Sequence, residues 1–393
     1  MLTIIIYSLY PNSGQASRLF HYLQVGRSLY NHSLEQRIAF YKEEGKTLSN
    51  YDQTADLTIL RSVSQVLANV PVEIERDALR RLDRAFQNFF RRTKEQNGKA
   101  GFPRFKSANR WNSFSISNPG KVLRGNRIRI SGVDGLVRAR NIREPSGKIK
   151  EQRIVHRAGK WFCQLVVDDG LTPPPVQPVK SAIGIDMGLK SFAVFSNGEE
   201  ILNPRFQKKL ERKLARTHRA LSRTKKGSHN RGKAIHRLQR VYLKITNQRW
   251  NFTHYLSKRI VSENQLIAVE KLNIAGMAQS RLAKSILDAA WGQFLWQLNY
   301  KAAKAGVLCL EVDPKGTSQD CSGCGQRVQK DLSVRVHSCP HCGLQLDRDH
   351  NAALNILQRA LSAPVPDGGI SKACGAATGP QRNRKPLLAE TQR

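Results

Sequence analysis

The chain has 393 residues, long enough for two or three domains, and its 40% hydrophobic content is enough to bury a core in each. Its 65 Lys and Arg against 30 Asp and Glu leave a formal net charge of +35, a self-repulsion that points to a polyanionic partner, nucleic acid first. The longest apolar runs, such as LTIII at residues 2–6, fall far short of the roughly 20 residues of a membrane helix, and no secretory leader pattern is seen, so a cytosolic protein without a membrane span is expected.

Residues 2–11, LTIIIYSLYP, read as a short apolar strand closed by proline. Apolar residues then return at helical spacing through residues 14–45, again through LTILRSVSQVLANV, and in PVEIERDALRRLDRAFQNFFRRTKE, where Leu79, Leu82, Ala85, Phe86 and Phe89 lie down one side. From Phe102 the pattern changes to short alternating runs, NRIRISG, GLVRARNI and KWFCQLVVDDG, between glycine and asparagine breaks, as in a small barrel. DGLTPPPVQPVK reads as a stiff connector.

Beyond the connector, SAIGIDMG and SFAVFSNGEEIL predict three strands with an Asn-Gly hairpin turn, followed by a long basic helical region. NQLIAVEKL is an apolar strand ending near Glu270, a helical stripe follows at Ile286, Ala290, Phe294 and Leu298, and VLCLEVDP is a further strand. Two cysteine pairs and the helix HNAALNILQRAL complete the order: three antiparallel strands, helix, strand, helix, strand, insertion, helix. That order is ribonuclease-H-like. From about residue 362 the tail is rich in Gly, Pro, Ser and Lys and is expected to be disordered.

Asp186 and Glu270 each end an apolar strand, and Asp347 and Asp349 precede the last helix. One such acid is most often a surface acid or a helix cap, but three in a strand order that converges them point to a divalent-cation site. Two Mg²⁺ ions on such carboxylates activate a water and stabilise the leaving oxygen of a phosphodiester, which predicts a nuclease. Asp347 and Asp349 are two residues apart and face the same side of an extended segment, so spacing leaves them tied, with the helix dipole a small push towards Asp349.

Cys321 and Cys324 are separated by two residues, as are Cys339 and Cys342, with fourteen residues between the pairs and a glycine after each. Four thiolates at this spacing predict one tetrahedral, closed and therefore structural Zn²⁺ site. His337 and His341 are expected to face solvent, Cys163 and Cys309 to sit in the core, and Cys374 to have no role. Between Arg205 and Arg240, fourteen Lys or Arg residues stand against the single acid Glu211. Arg219, Arg223, Lys225, Lys226, Arg231 and Lys233, around the helix break KKGSHNRGK, are expected to contact phosphates without reading sequence. A second basic cluster includes Arg76, Arg80, Arg81, Arg84, Arg91 and Arg92 and surrounds Phe89 and Phe90, which are expected to be core residues.

The blocks LYPNSGQ, YNHSLEQR, ALRRLDRAFQNFFRR, GFPRFKS, GIDMGLKSFAVFSNGEEI, LSRTKKGSHNRGK, VEKLNIAGM, TSQDCSGCG, HSCPHCG, LDRDHNAALNIL and ACG together resemble the TnpB proteins of insertion sequences, relatives of the type V CRISPR effector nucleases. The resemblance implies a multi-domain α+β chain: a small wedge-like β-barrel from residues 1–10 and 100–172, a helical recognition domain (11–99) inserted in it, and a linker (173–180). A RuvC, ribonuclease-H-like α/β nuclease domain (181–317 and 346–361) then carries a zinc-ribbon insertion (318–345), and the tail (362–393) follows. It further implies a noncoding guide RNA as bound partner and double-stranded DNA as target, cut beside a short flanking motif in the prokaryotic cytosol or nucleoid, with base pairing reading the target. By position the RuvC acids become Asp186, Glu270 and Asp349, which breaks the tie. The chain departs from the family's RxDFxHK block, having RWNFTHY with Asn251 and Tyr255. Two other readings remain open at this point, a guided regulator that does not cut and a transposase that joins strands.

Overall fold

A computed structural model of the chain describes residues 1–95, 100–140, 142–176, 178–331 and 334–363. Apart from Ser362 and Ala363 the tail, with its ACG block and Cys374, lies outside the described residues. The chain divides into two units, Met1–Leu171 and Thr172–Arg393. No helix among the described residues is long and apolar enough to cross a membrane.

In the first unit, β1 (Leu2–Tyr10) turns at Pro11 into α1 (Ser13–Glu44). Asn12 and Gln15 form a reciprocal capping box at its start, satisfying two orphan amides, and Gly45, in the left-handed region at φ +66°, ends it. Helices α2 (Asn50–Val63), α3 (Gln65–Ala68) and α4 (Val72–Lys94) follow. The chain then returns to strands: β2 (Ser113–Ser117), β3 (Leu123–Arg124), β4 (Arg127–Ile128), β5 (Val137–Arg140), β6 (Lys148–Arg157) and β7 (Lys160–Asp168). All seven strands form one antiparallel sheet in the order β2-β6-β7-β1-β5-β4-β3. The first strand therefore lies mid-sheet, and the four helices are inserted between it and the other six.

The region expected to form a small barrel is this seven-stranded sheet, with β2 and β3 at its two ends. The expectation also passed over β2 and β6, because SFSIS and KIKEQRIVHR are polar; in β6 only Gln152 and Ile154 are buried, so the apolar signal of the strand is nearly erased. Two further expectations are corrected on α4. Phe86 is the core residue, whereas Phe90 is 45% exposed and Phe89 half-buried against Phe90 and Phe102. Arg81 turns inward from the basic cluster, pairing with Asp77 and lying over the Trp111 ring.

In the second unit, β8 (Ala182–Asp186), β9 (Ser191–Phe195) and β10 (Glu200–Leu202) form the antiparallel meander. Helices α5 (Phe206–Lys209), α6 (Glu211–Ser222) and α7 (His229–Glu263) lead to β11 (Leu266–Glu270). Next come α8 (Ile274–Met277), α9 (Ala283–Ala289), α10 (Trp291–Ala305) and β12 (Leu308–Val312). A small hairpin, β13 (Val336–Ser338) with β14 (Gln345–Asp347), precedes α11 (Arg348–Ser362). The five-stranded sheet runs β10-β9-β8-β11-β12, and β11 pairs parallel with both β8 and β12 through helical crossovers. The stripe expected to be one helix through Ala290 is broken there, because Ala290 takes φ +60° between α9 and α10.

Strand alternation splits the core. Ile183, Ile185, Ile267 and Val269 meet Leu256, Ile260, Phe294 and Leu298 of α7 and α10, whereas Leu266, Ala268, Leu308 and Leu310 pack with Ile356 and Ala360 of α11. Gly184 sets how closely α11 approaches β8: a Cβ there would lie 2.1 Å from the Ala353 carbonyl oxygen and 2.9 Å from Leu357. Gly184→Ala is thus expected to push the helix outward and cost about 1–3 kcal/mol of stability in urea unfolding, by overpacking against backbone. A variant as stable as the parent would show that the helix shifts freely.

Candidate active site

Val269 pairs with Ile185 across the parallel β11–β8 register, so the next residues along, Glu270 and Asp186, stand side by side at the carboxyl ends of the two strands. By alternation both face the α11 side of the sheet, and Asp349 lies in the first turn of α11. Glu270 is 9% exposed and Asp186 is partly buried. Burial, then the charges of Glu270 and Asp349, push the Asp186 carboxyl up to about 8. Burial raises Glu270 as well, opposed by the Thr317 hydroxyl, which donates to its Oε1 at 2.5 Å.

Carboxylates that resist ionisation because they are buried and crowd one another are what a bound divalent cation relieves, so the oxygen donor set fits Mg²⁺. The carboxylate oxygens are not drawn into one shell: among the described residues, only the four cysteines bring their ligand atoms within 4.8 Å of one another. Asp349 is instead held by Arg348 at 3.0 and 3.1 Å and by Arg335 at 3.7 Å. Asp347 has a different task. Its carboxylate is the N-cap of α11, accepting from the backbone N–H groups of Asp349 at 2.8 Å and His350 at 3.2 Å.

The Sγ atoms of Cys321 and Cys342 are 3.6 Å apart, as are those of Cys324 and Cys339. Tetrahedral Zn²⁺ with sulfur at about 2.3 Å places its ligands about 3.8 Å apart, so the quartet fits one closed zinc site. Knuckle turns close on both sides, with Gly325 N–H donating to Cys321 O and Gly343 N–H to Cys339 O. His341 is exposed as expected, but His337 is fully buried, its Nδ1 against Lys330 Nζ, because β13 turns it under the hairpin.

Arg219, Arg223, Lys225, Lys226 and Lys233 are exposed at the end of α6, in the loop after it and on the start of α7. Arg231 is committed elsewhere: its Nη1 donates to the carbonyls of Leu221 and Thr224 at 3.3 and 3.2 Å, so it closes the loop from within. Arg76 and Arg80 lie on the outer side of α4 beside Glu73, at 3.1 and 3.9 Å. Thr317, Arg335 and Arg348 were missed by reading the sequence, since none falls in a periodic pattern and their partners are remote or defined only by the helix start.

A family model for the OrfB proteins of the IS605 group, described as "Probable transposase", matches residues 162–281. A Cas12f1-like TNB domain model matches 291–356, and a helix-turn-helix model matches 1–46. A Streptomyces pristinaespiralis protein named "Putative RNA-guided DNA endonuclease" is 34% identical over 96% of this chain and 92% of its own length. The chain belongs to the TnpB family. Another relative, InsQ of Escherichia coli strain K12, carrying the same name, is 30% identical to this TnpB protein over 75% of the chain and 76% of its own length. The solved structure of the mini-RNA-guided endonuclease CRISPR-Cas_phi3 shares the TnpB chain's fold with a TM-score of 0.52, covering 93% of each chain at 9% identity.

Proposed function

We propose that this TnpB protein is an RNA-guided DNA endonuclease that binds a noncoding guide RNA and cuts double-stranded DNA beside a short flanking motif. The observation that carries the reading is the placement of Asp186, Glu270 and Asp349 at one end of the sheet, on the face covered by α11. The five-strand order supports a RuvC-type nuclease domain at residues 181–317 and 346–361, with 318–345 as its zinc-binding insertion. The seven-stranded sheet and the helices inserted in it form the recognition half, residues 1–172, and 173–180 is the linker.

Asp186, Glu270 and Asp349 would hold two Mg²⁺ ions, whose chemistry is to activate the attacking water and stabilise the leaving oxygen. Glu270 is oriented by the Thr317 hydroxyl, which also opposes the upward push of burial on its carboxyl. Arg348 and Arg335 pair with Asp349 and orient its carboxylate, and as cations at that end of the sheet they would favour a phosphate there. The exposed Arg219, Arg223, Lys225, Lys226 and Lys233, and Arg76 and Arg80, grip nucleic-acid backbone, while the cysteine quartet holds one structural Zn²⁺.

The deciding experiment is to purify the protein, sequence the RNA that accompanies it, and reprogram that RNA against a plasmid library with randomised flanks in Mg²⁺. Guide-dependent cleavage next to one short motif is expected. No accompanying RNA, or cutting indifferent to the guide, would overturn the proposal. Because the matching family model is described as a transposase, the same products are screened for joined strands, whose appearance would favour strand transfer.

A further inference from the structure

We propose that Thr317 is a positioning residue for Glu270, held in place by α11 and by the first cysteine knuckle, so that the insertion and the carboxylate end of the sheet form one mechanical unit. This rests on the metal-centre reading above and goes beyond it by assigning the group that orients the second acid. Glu270 ends β11, and nothing in that strand fixes its side chain, which has three rotatable bonds. The buried contact that pins it is the Thr317 hydroxyl, 2.5 Å from Oε1. Thr317 is itself 3% exposed, and among the described residues its one other acceptor, the Pro314 carbonyl, lies farther off at 3.0 Å. The shorter bond is the stronger of the two, so the single hydroxyl proton goes to Glu270.

A threonine can orient a carboxylate only if its own backbone is fixed, and here α11 fixes it. Asn351, Asn355 and Arg359 recur every four residues and so share one face of the helix. Asn355 donates to the carbonyls of Thr317 at 2.8 Å and Asp320 at 2.6 Å. Asn351 donates to the Asp320 carbonyl at 2.8 Å and accepts from the Ser322 N–H at 3.0 Å. Arg359 binds the carbonyls of Asp313 and Lys315, both at 2.8 Å. Both asparagines are buried, so each unmade bond would leave a desolvated polar group. Ser322 follows Cys321 directly, so the grip ends inside the cysteine knuckle.

One helix therefore references all three acids. Asp349 sits on its first turn, Asp186 follows two residues after the Gly184 contact with Ala353 and Leu357, and Glu270 is reached through Asn355 and Thr317. The carboxylates come from elements far apart in sequence, and α11 is the shared jig that sets their spacing.

The test compares Thr317→Val and Thr317→Ser in the full chain with its zinc retained, reading Mn²⁺ affinity by calorimetry on RNA-free protein, zinc content and Tm. A valine keeps the shape and loses the hydroxyl, whereas a serine keeps the hydroxyl. Thr317→Val is expected to weaken Mn²⁺ binding about tenfold, the scale for losing a hydrogen-bond partner of a metal ligand, with zinc content unchanged. Thr317→Ser should stay within about threefold of the parent. Should the valine variant lose zinc or fold poorly, Thr317→Ala removes the same hydroxyl without adding a methyl beside the carboxylate and is read in its place. Parental Mn²⁺ affinity in the variants without the hydroxyl, or an equal loss in the serine variant, would overturn the role given to Thr317 while leaving the nuclease reading intact. A parent chain that binds no Mn²⁺ would overturn the metal-centre reading itself, and the role of Thr317 with it.

Discussion

Asp186→Ala is expected to lower guided DNA cutting by at least about 10³-fold, some 4 kcal/mol of transition-state stabilisation, while guided binding of the target is unchanged. The carboxylate lies at the end of β8 beside Glu270, where on the proposed reading it would hold the cation and take no part in backbone binding by the basic surfaces. Gel-shift and cleavage assays on the same reprogrammed guide separate the two effects, and a variant that still cuts would refute the metal assignment. Stability should move the other way. With its carboxyl pushed up to about 8, Asp186 is neutral in the folded protein and ionised in the unfolded chain between about pH 4 and pH 8. Its contribution to stability is therefore present in full below about pH 4 and is lost as pH rises to about 8. Asp186→Asn removes that loss, so without added Mg²⁺ its Tm should exceed the parent's by more at pH 8 than at pH 5. Added Mg²⁺ should raise the parent's Tm and close the gap. A gap independent of pH would show that Asp186 is not strained by burial and its neighbours.

Cys339→Ser is expected to reduce zinc from one ion per chain to none and to open the hairpin of β13 and β14 to proteolysis. Cys339 is 2% exposed and pairs with Cys324, and its amide bonds to the Leu344 carbonyl, so it closes one of the two knuckles from inside. Structural zinc contributes about 10–16 kcal/mol to the folding of small zinc-finger peptides, and an insertion with so little apolar core has no comparable replacement. Because Asn351 grips the segment next to Cys321, cutting should fall at least about tenfold although the cysteine quartet is a site separate from the carboxylates. Metal analysis, limited proteolysis and cleavage rate measure the three parts. Normal cutting by a zinc-free chain would show that the knuckle stands apart from the active end of the sheet.

Signals that live in one stretch of chain were legible. The apolar runs in SAIGIDMG and NQLIAVEKL mark β8 and β11, the Asn-Gly turn at 197–198 joins β9 to β10, and the CxxC spacing identifies the quartet. Where the local signal was weak, the reading failed for a physical reason. Strand β6 carries charge on its open face, so its period of two is hidden, and the 286–298 stripe continues across Ala290 because apolar spacing does not register one left-handed residue. Likewise Arg231 and His337 look like free surface groups by type, and only their neighbours, the carbonyls of Leu221 and Thr224 and the underside of a hairpin, make them internal.

By itself the sequence determined the residue chemistry and the order of elements: three acids at the ends of strands or the start of a helix, four thiolates at zinc spacing, and a strand-helix order that leaves few ways to build the sheet. Only the tertiary structure decided what depends on contacts between distant residues. Asp347 became a helix cap and Asp349 a first-turn carboxylate paired with Arg348 and Arg335, because the backbone turns into α11 between them. Gly184 became the floor on which α11 rests, and Thr317 met Glu270 across 47 positions of chain. Periodicity and spacing report on a residue's own segment, whereas the orientation of a buried carboxylate is set by whatever the fold packs against it.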